Sequence, residues 1–360
     1  MPKWGLSMTE AKIVEWRVPV GGQVSSGDEV VDIETEKIAA GVEARDSGVL
    51  RRHIATEEEV LPIGALLAVI ADADTPESEI DAFVANYQVT APDQIGSEGD
   101  ETPDTIDVNG RAIRYLRRGD SGSAVILIHG FGGDLNNWLF NHEPLAAEHV
   151  VYALDLPGHG ASSKDVGDGS LDEFAGLLGD FMTAVDIAPA HLVGHSMGGA
   201  IALTFAVAHP DLTSSLTLIG SAGLGPEIDG SYLDGFVQAR KRRDMKPHLE
   251  KLFSDPSLIT RQLVEDVLKF KRLDGVEDAL ATVADQLFAG GLQSAVLRDQ
   301  LDALKLPAQL IWGEEDRIIP PVHAQGLSAD VATHTVAGAG HMVQMEAAAE
   351  VNRLIRQLAS

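Results

Sequence analysis

Ser196 stands at the centre of Gly194-His195-Ser196-Met197-Gly198, after the apolar run His191-Leu192-Val193 and before an alanine-rich stretch. A strand that turns sharply into a helix needs small residues at Gly194 and Gly198, where the backbone crowds itself, and it projects the serine hydroxyl into a cleft. A serine hydroxyl is a weak nucleophile at neutral pH, so it requires a base and a group that orients the base. His341, in Gly338-Ala339-Gly340-His341, is the candidate base. Asp316, in Trp312-Gly313-Glu314-Glu315-Asp316, is the preferred acid, with Glu314 and Glu315 as rivals. A further turn, His129-Gly130-Phe131-Gly132-Gly133, follows another apolar run, and there the Phe131 N–H, with that of Met197, would face a developing oxyanion. His129, His159 and His195 read as loop-packing residues of their motifs.

A second group with chemical potential is Lys37, in Asp32-Ile33-Glu34-Thr35-Glu36-Lys37-Ile38-Ala39. The flanking alternation reads as two strands of a tight hairpin, which places the amine on an exposed turn. Nothing nearby in sequence would desolvate it, so it suits covalent loading with a long prosthetic arm better than acid-base work. Gly27, Val30 and Ile33 recur as Gly64, Leu67 and Ile70 at the same offsets, which implies two similar half-sheets with Lys37 at their junction. Their apolar faces would be Val24, Val30 and Ile33, and Val60, Leu67 and Val69. From Met1-Pro2-Lys3-Trp4 to Ala68-Val69-Ile70 the chain resembles a lipoyl domain. Biotin carriers share that fold but have Ala-Met-Lys-Met at the tip, where this chain has Thr35-Glu36-Lys37-Ile38. The resemblance implies lipoate bound covalently to Lys37.

The elements that must position these groups fall into three segments. An N-terminal all-β domain, a flattened barrel or sandwich, is expected over 1–71. Residues 72–107 hold eleven acidic residues and no lysine or arginine, with Pro76, Pro92 and Pro103, and read as a flexible acidic linker. Helical spacing of Ser78, Ile80, Phe83, Val84 and Tyr87 after Thr75-Pro76 marks a short helix inside it. Over 108–360, apolar strands (123–128, 150–154, 191–193, 215–219, 309–312) alternate with helical segments, the pattern of a parallel sheet covered on both faces. Sites in such sheets form at the carboxyl ends of strands, where Ser196, Asp316 and the His129 turn all lie. From roughly 224 to 306 the strands lapse into helical segments, as for a cap inserted over the cleft.

Composition excludes several chemistries. The chain has no cysteine, so disulfides, zinc-thiolate sites and a thiol nucleophile are ruled out, and no metal site is expected. Its 360 residues carry a formal net charge of −28, which disfavours nucleic acid and anionic membranes as partners. No signal pattern or membrane-length apolar run is present, so a cytoplasmic protein is expected. Against that acidic background Arg240, Lys241, Arg242, Arg243 and Lys246 form a basic cluster. It is either a solvated helix face or an anion site.

From Asp107 onward the motifs Gly194–Gly198, His129–Gly133, Asp155-Leu156-Pro157-Gly158-His159-Gly160 and the order Ser, Asp, His resemble the α/β-hydrolase family. The two domains together resemble the dihydrolipoyl acetyltransferase component of acetoin-cleaving complexes. That resemblance implies that a thiamine-diphosphate-dependent dehydrogenase component loads acetyl on the lipoyl arm. Coenzyme A, whose anionic groups the basic cluster could meet, then accepts the acetyl group, and dihydrolipoamide dehydrogenase reoxidises the dithiol. A lipoate ligase or lipoyl transferase attaches the arm. The chain departs from 2-oxo acid dehydrogenase acyltransferases in lacking His-x-x-x-Asp-Gly and a separate subunit-binding domain. The acyltransferase reading therefore runs through an acyl-Ser196. The alternatives are a thioesterase or carboxylesterase recruited by its lipoyl domain, and a carrier scaffold without turnover.

Overall fold

The computed structural model describes residues 10–25, 27–34, 39–44, 47–62, 64–87 and 102–360. The chain divides into two compact units, Met1–Asp100 with Thr260–Leu263 and Glu101–Ile259 with Val264–Ser360.

The first unit has seven strands: β1 (Glu10–Trp16), β2 (Gln23–Val24), β3 (Glu29–Glu34), β4 (Ala39–Glu43), β5 (Gly48–His53), β6 (Val60–Pro62) and β7 (Ala68–Ala71). They form two sheets, ordered β4-β3-β1-β6 and β2-β5-β7. The period-two alternation puts Ala11 and Ile13 of β1 and Val31 and Ile33 of β3 into one core with Val24, Leu50 and Leu67. The sequence repeat implies two half-sheets, but the halves exchange strands: β6 completes the first sheet and β2 the second. That exchange corrects the expectation for Val60, which is 53% exposed. Val60 pairs with Lys12 on the outer face of β1, so the alternation turns its neighbour Leu61, opposite Ala11, toward the core.

The helix marked in the acidic segment is α1 (Glu77–Asn86), and it is held rather than free. Arg51 bonds the carbonyls of Asp72 and Thr75 at 2.9 Å each and the Glu77 carboxylate at 2.6 Å. Arg52 meets Glu77 and Asp81, both at 2.7 Å, while Ile80 is buried and the Tyr87 hydroxyl donates to Gly64 O. Residues 72–87 of the segment expected to be a flexible linker are thus tied to the strands before them: lone exposed ion pairs are weak, but two neighbouring arginines reading one helix face act as a network.

The second unit carries one eight-stranded sheet, ordered β15-β14-β13-β12-β10-β11-β9-β8. β8 (Asp104–Val108) and β9 (Arg111–Arg118) form an antiparallel edge on β11. β10 (Ala124–Ile128), β11 (Val150–Leu154), β12 (Ala190–His195), β13 (Thr213–Ile219), β14 (Ala308–Gly313) and β15 (Val331–Val336) are parallel. The inner strands are apolar on both faces because helices cover both: Ile126, Leu127, Leu192, Leu218 and Leu310 are fully buried. Among those helices are α2 (His142–Ala146), α3 (Leu171–Ala184) and α4 (Met197–Ala208). Between β13 and β14 the chain is helical, as expected for a cap: α5 (Gly230–Gln238), α6 (Arg242–Leu249), α7 (Arg261–Lys271), α8 (Val276–Leu287) and α9 (Arg298–Ala303). α10 (Val343–Glu346) and α11 (Ala348–Ala359) close the fold, with Val351, Leu354 and Ile355 of α11 packed under the sheet. Among the described residues no helix is long and apolar enough to cross a membrane.

Candidate active site

Ser196 joins β12 to α4 with φ 55° and ψ −120°. A positive φ strains any residue with a side chain, by ~1–3 kcal/mol, and persists only where the surroundings over-determine it. Here the Ser196 N–H donates to Ile219 O at 2.9 Å, and its carbonyl accepts the N–H of Ala222 at 2.9 Å. The flanking glycines are obligatory. A Cβ on Gly194 would lie 2.3 Å from Gly198 O, and one on Gly198 would lie 2.3 Å from Ile128 O.

Asp316 follows β14 and His341 follows β15. The Oδ1 of Asp316 accepts the N–H groups of Ile318 and Ile319 at 2.8 and 3.0 Å, which leaves Oδ2 for His341 Nδ1 at 2.8 Å. Both residues are buried. A carboxylate partner keeps the imidazole proton on Nδ1 and leaves Nε2 with its lone pair. Glu314 and Glu315 are exposed, and Glu315 pairs with Arg317, so Asp316 alone of the three faces His341. Gly220, which the sequence reading missed, leaves room for the pair: its Cβ would lie 3.3 Å from both Asp316 Oδ2 and His341 Nδ1. Its signal was a glycine at the carboxyl end of a parallel strand.

His195 ties the serine turn to the histidine loop, its Nε2 donating to the His341 carbonyl at 2.9 Å. On the other side the His129–Gly133 turn abuts Ser196, since a Cβ on Gly130 would lie 2.8 Å from Ser196 Cβ. Among the described residues, the N–H groups of Phe131 and Met197 have no hydrogen-bond acceptor. The second is free because it opens a helix. The cap closes over this turn: a Cβ on Gly132 would lie 2.5 Å from Phe236 Cζ, and Phe236 and Phe288 meet the Phe131 ring edge to face. Met197, Ala200, Ala222, Leu287 and Phe288 line an apolar cavity beside the serine.

The three motif histidines pack loops, as expected. His129 Nε2 accepts the Leu156 N–H at 3.0 Å, so its Nδ1 donates to Gly130 O at 2.8 Å; His159 Nδ1 donates to Pro157 O. Burial pushes His129 down, His195 well down, and His159 to about 3, while His142 on α2, buried near Arg118, also falls to about 3. A folded-state value below the unfolded value near 6.5 means that unfolding takes up protons in acid. The stability is therefore complete above about pH 6.5 and falls by about 1.4 kcal/mol per pH unit per histidine below it, toward the folded value. Thermal unfolding of the second unit is expected to shift to lower temperature by several degrees between pH 6.5 and pH 5.5. A midpoint unchanged over that range would contradict the neutral, buried state of these rings.

Three members of the basic cluster are engaged in ion pairs. Arg240 pairs with Glu277 at 2.7 Å, Arg243 with Asp244 at 3.2 Å and Lys246 with Glu250 at 3.2 Å. Lys241 and Arg242 are exposed at the start of α6. Another cation of the cap, Lys271, is buried and donates to the carbonyls of Phe236, Val237 and Ala239 at the end of α5. Among the described residues no group of three or more His, Cys, Asp or Glu is placed to hold a metal. In the first unit β3 and β4 pair antiparallel, with Glu34 opposite Ala39. Lys37 falls between them in the chain and lies outside the described residues.

Residues 123–348 match the alpha/beta hydrolase fold family model, and residues 1–70 match the model described as biotin-requiring enzyme. The chain is 50% identical over 98% of its length, and 95% of the relative's, to the dihydrolipoyllysine-residue acetyltransferase component of acetoin cleaving system from Pseudomonas putida. It is 43% identical over 99% of its length, and 96% of the relative's, to the protein of the same description from Cupriavidus necator. Over 68% of its length and 89% of the relative's it is 30% identical to a 2-hydroxy-6-oxononadienedioate/2-hydroxy-6-oxononatrienedioate hydrolase of Burkholderia vietnamiensis. Among solved structures, a meta-cleavage product hydrolase from Pseudomonas fluorescens superposes with a TM-score of 0.65 at 24% identity, covering 71% of this chain and 96% of that one; this bears on the fold alone.

Proposed function

Because the chain belongs to the family of dihydrolipoyllysine-residue acetyltransferase components of acetoin cleaving systems, we propose that it moves an acetyl group from a lipoyl arm on Lys37 to coenzyme A through an acyl-Ser196. The observation that carries the catalytic part is the buried hydrogen bond between His341 Nδ1 and Asp316 Oδ2, 2.8 Å long, beside a serine at positive φ. The domains of this reading are the lipoyl domain (1–71), the segment 72–107 and the hydrolase domain (108–360) with its cap.

The strand pair that ends at Glu34 and Ala39 fits attachment of a long arm between them. Lipoate in amide linkage to the lysine supplies, when bound, a dithiol that carries an acyl group as a thioester. Ser196 Oγ attacks the thioester carbonyl while His341 Nε2 takes its proton, and Asp316 stabilises the imidazolium. The Phe131 and Met197 N–H groups receive the oxyanion. On collapse the C–S bond breaks and His341 returns the proton to the departing sulfur. The coenzyme A thiol then gives its proton to His341, attacks the acyl-serine and regenerates the Ser196 hydroxyl. In the same reading a thiamine-diphosphate-dependent component loads the arm, dihydrolipoamide dehydrogenase reoxidises it and a lipoate ligase or lipoyl transferase attaches it, all in the cytoplasm.

Water could replace the coenzyme A thiol in the last step, and the 30% identity to a hydrolase over most of that relative's length favours this second reading. Acetyl-dihydrolipoamide given to the full chain separates them. The expected result is acetyl-coenzyme A as the main product, with free acetate minor. Acetate formed at the same rate with and without coenzyme A would establish the hydrolase instead. Arg240, Lys241, Arg242, Arg243 and Lys246 are the proposed meeting point for the anionic groups of coenzyme A. Replacing Arg242 and Arg243 together by glutamine is expected to raise its KM about tenfold, about 1.4 kcal/mol, and to leave a small uncharged ester unaffected. No change in either substrate would leave the cluster as a solvated helix face.

A further inference from the structure

We propose that Glu346 is a positioning residue through which the cap segment Leu252–Ser254 sets the placement of His341. The inference rests on His341 acting as the base for Ser196.

Glu346, at the end of α10, curls back so that its two carboxylate oxygens serve two different stretches of chain. Oε2 accepts the N–H of Gly340, the residue before His341, at 2.8 Å. Oε1 accepts the Ser254 N–H at 2.7 Å and lies 2.7 Å from the Ser254 hydroxyl. That hydroxyl also lies 2.6 Å from Gly338 O, so its single proton is shared between the histidine loop and Glu346. On the far side of His341, the Met342 N–H donates to Leu252 O at 3.1 Å. Both peptide neighbours of His341 are thus held by the same three cap residues, one directly and one through the carboxylate.

The contact has no slack. A Cβ on Gly340 would lie 2.7 Å from Ser254 N and 3.0 Å from Leu252 O. Hydrogen bonds to a carboxylate are stronger than neutral ones, so Glu346 is the stiffest link in this junction. The ring of His341 takes its orientation from Asp316, and its backbone takes its position from the cap. A displacement of the cap at Leu252–Ser254 therefore carries the imidazole with it, and a shift on the order of 1 Å in a reacting group lowers rates by about a hundredfold. The cap that closes on Phe131 through Phe236 on one side of the serine fixes the base through Glu346 on the other.

The test uses the full chain, a small uncharged ester, and rates normalised to serine sites counted by a fluorophosphonate taken to completion. Glu346→Ala is expected to lower kcat per site at least tenfold with KM within about twofold, and to displace the acid limb of the kcat/KM profile. Glu346→Gln, which keeps one acceptor oxygen, should fall between it and the parent and provides the readout if the alanine variant does not fold. Ser254→Ala should show the same signature, more weakly. A parental kcat per site and pH profile, with only a lower melting temperature, would reduce Glu346 to a brace and overturn the proposal. Ser196→Ala is assayed beside them. If it retains ester turnover, the serine mechanism fails and this proposal with it; if it is inactive while both Glu346 variants behave as the parent, this proposal fails alone.

Discussion

Ser196→Ala is expected to lower acyl turnover by at least about a thousandfold, about 4 kcal/mol in barrier. The variant should keep its fold, because the turn is held by backbone bonds to Ile219 and Ala222 and by the crowding at Gly194 and Gly198. Alanine also has the same φ strain as serine at that position. What disappears is the hydroxyl that forms the ester with the acyl group in the proposed route. Intact mass after exposure of the parent chain to an acyl thioester should show one acyl group on Ser196, and the alanine variant should show none there. Undiminished transfer to coenzyme A by the variant would refute the acyl-serine route and leave direct attack of one thiol on the other's thioester.

The second large effect is expected from Lys37→Arg, which should abolish turnover by the assembled complex while small-ester kinetics of the second unit change by less than about twofold. Three lysines occur in the first unit's sequence, Lys3, Lys12 and Lys37. Lys12 sits within β1 with its ammonium 2.6 Å from Glu58, which raises its proton affinity and occupies it. Lys37 alone falls between the ends of a paired hairpin. Arginine keeps the charge but not the primary amine that an amide linkage needs. Peptide mass mapping of the parent should find lipoyl on Lys37. Finding it on Lys3 or Lys12 with Lys37 bare would end this assignment.

Much of this was legible because the chemistry demands local patterns. The serine turn needs glycines two residues either side, the turn proposed to hold the oxyanion needs them beside Phe131, and both follow strands whose apolar runs show burial on two faces. The acid was narrower work, since Glu314, Glu315 and Asp316 share a turn and only the fold turns one of them inward. The edge strands β8, β9 and β15 escaped notice because they carry charged or polar residues on a solvated face, as in the exposed Asp104, Thr105 and Asp107 of β8. The strand exchange in the first unit was invisible to a repeat, which records similar halves and not which sheet each strand joins. The roles of Glu346 and of the cap cation Lys271 were not legible for a different reason. Most of their partners are backbone groups, and those at Ser254 for Glu346 and at Phe236 to Ala239 for Lys271 lie far along the chain, where no residue type announces such a contact.

The grip of Arg51 and Arg52 on α1 also changes the arithmetic of encounter. With Tyr87 pinned to Gly64 and β8 beginning at Asp104, residues 88–103 are the covalent span between the held parts of the two units. Whatever their path, about 16 residues reach no farther than about 55 Å, against about 120 Å for the whole acidic segment. A reach cut by half confines the end of that tether to roughly a tenth of the volume. In the proposed transfer, two arginines on a β-strand thus shorten the covalent tether between Lys37 and Ser196.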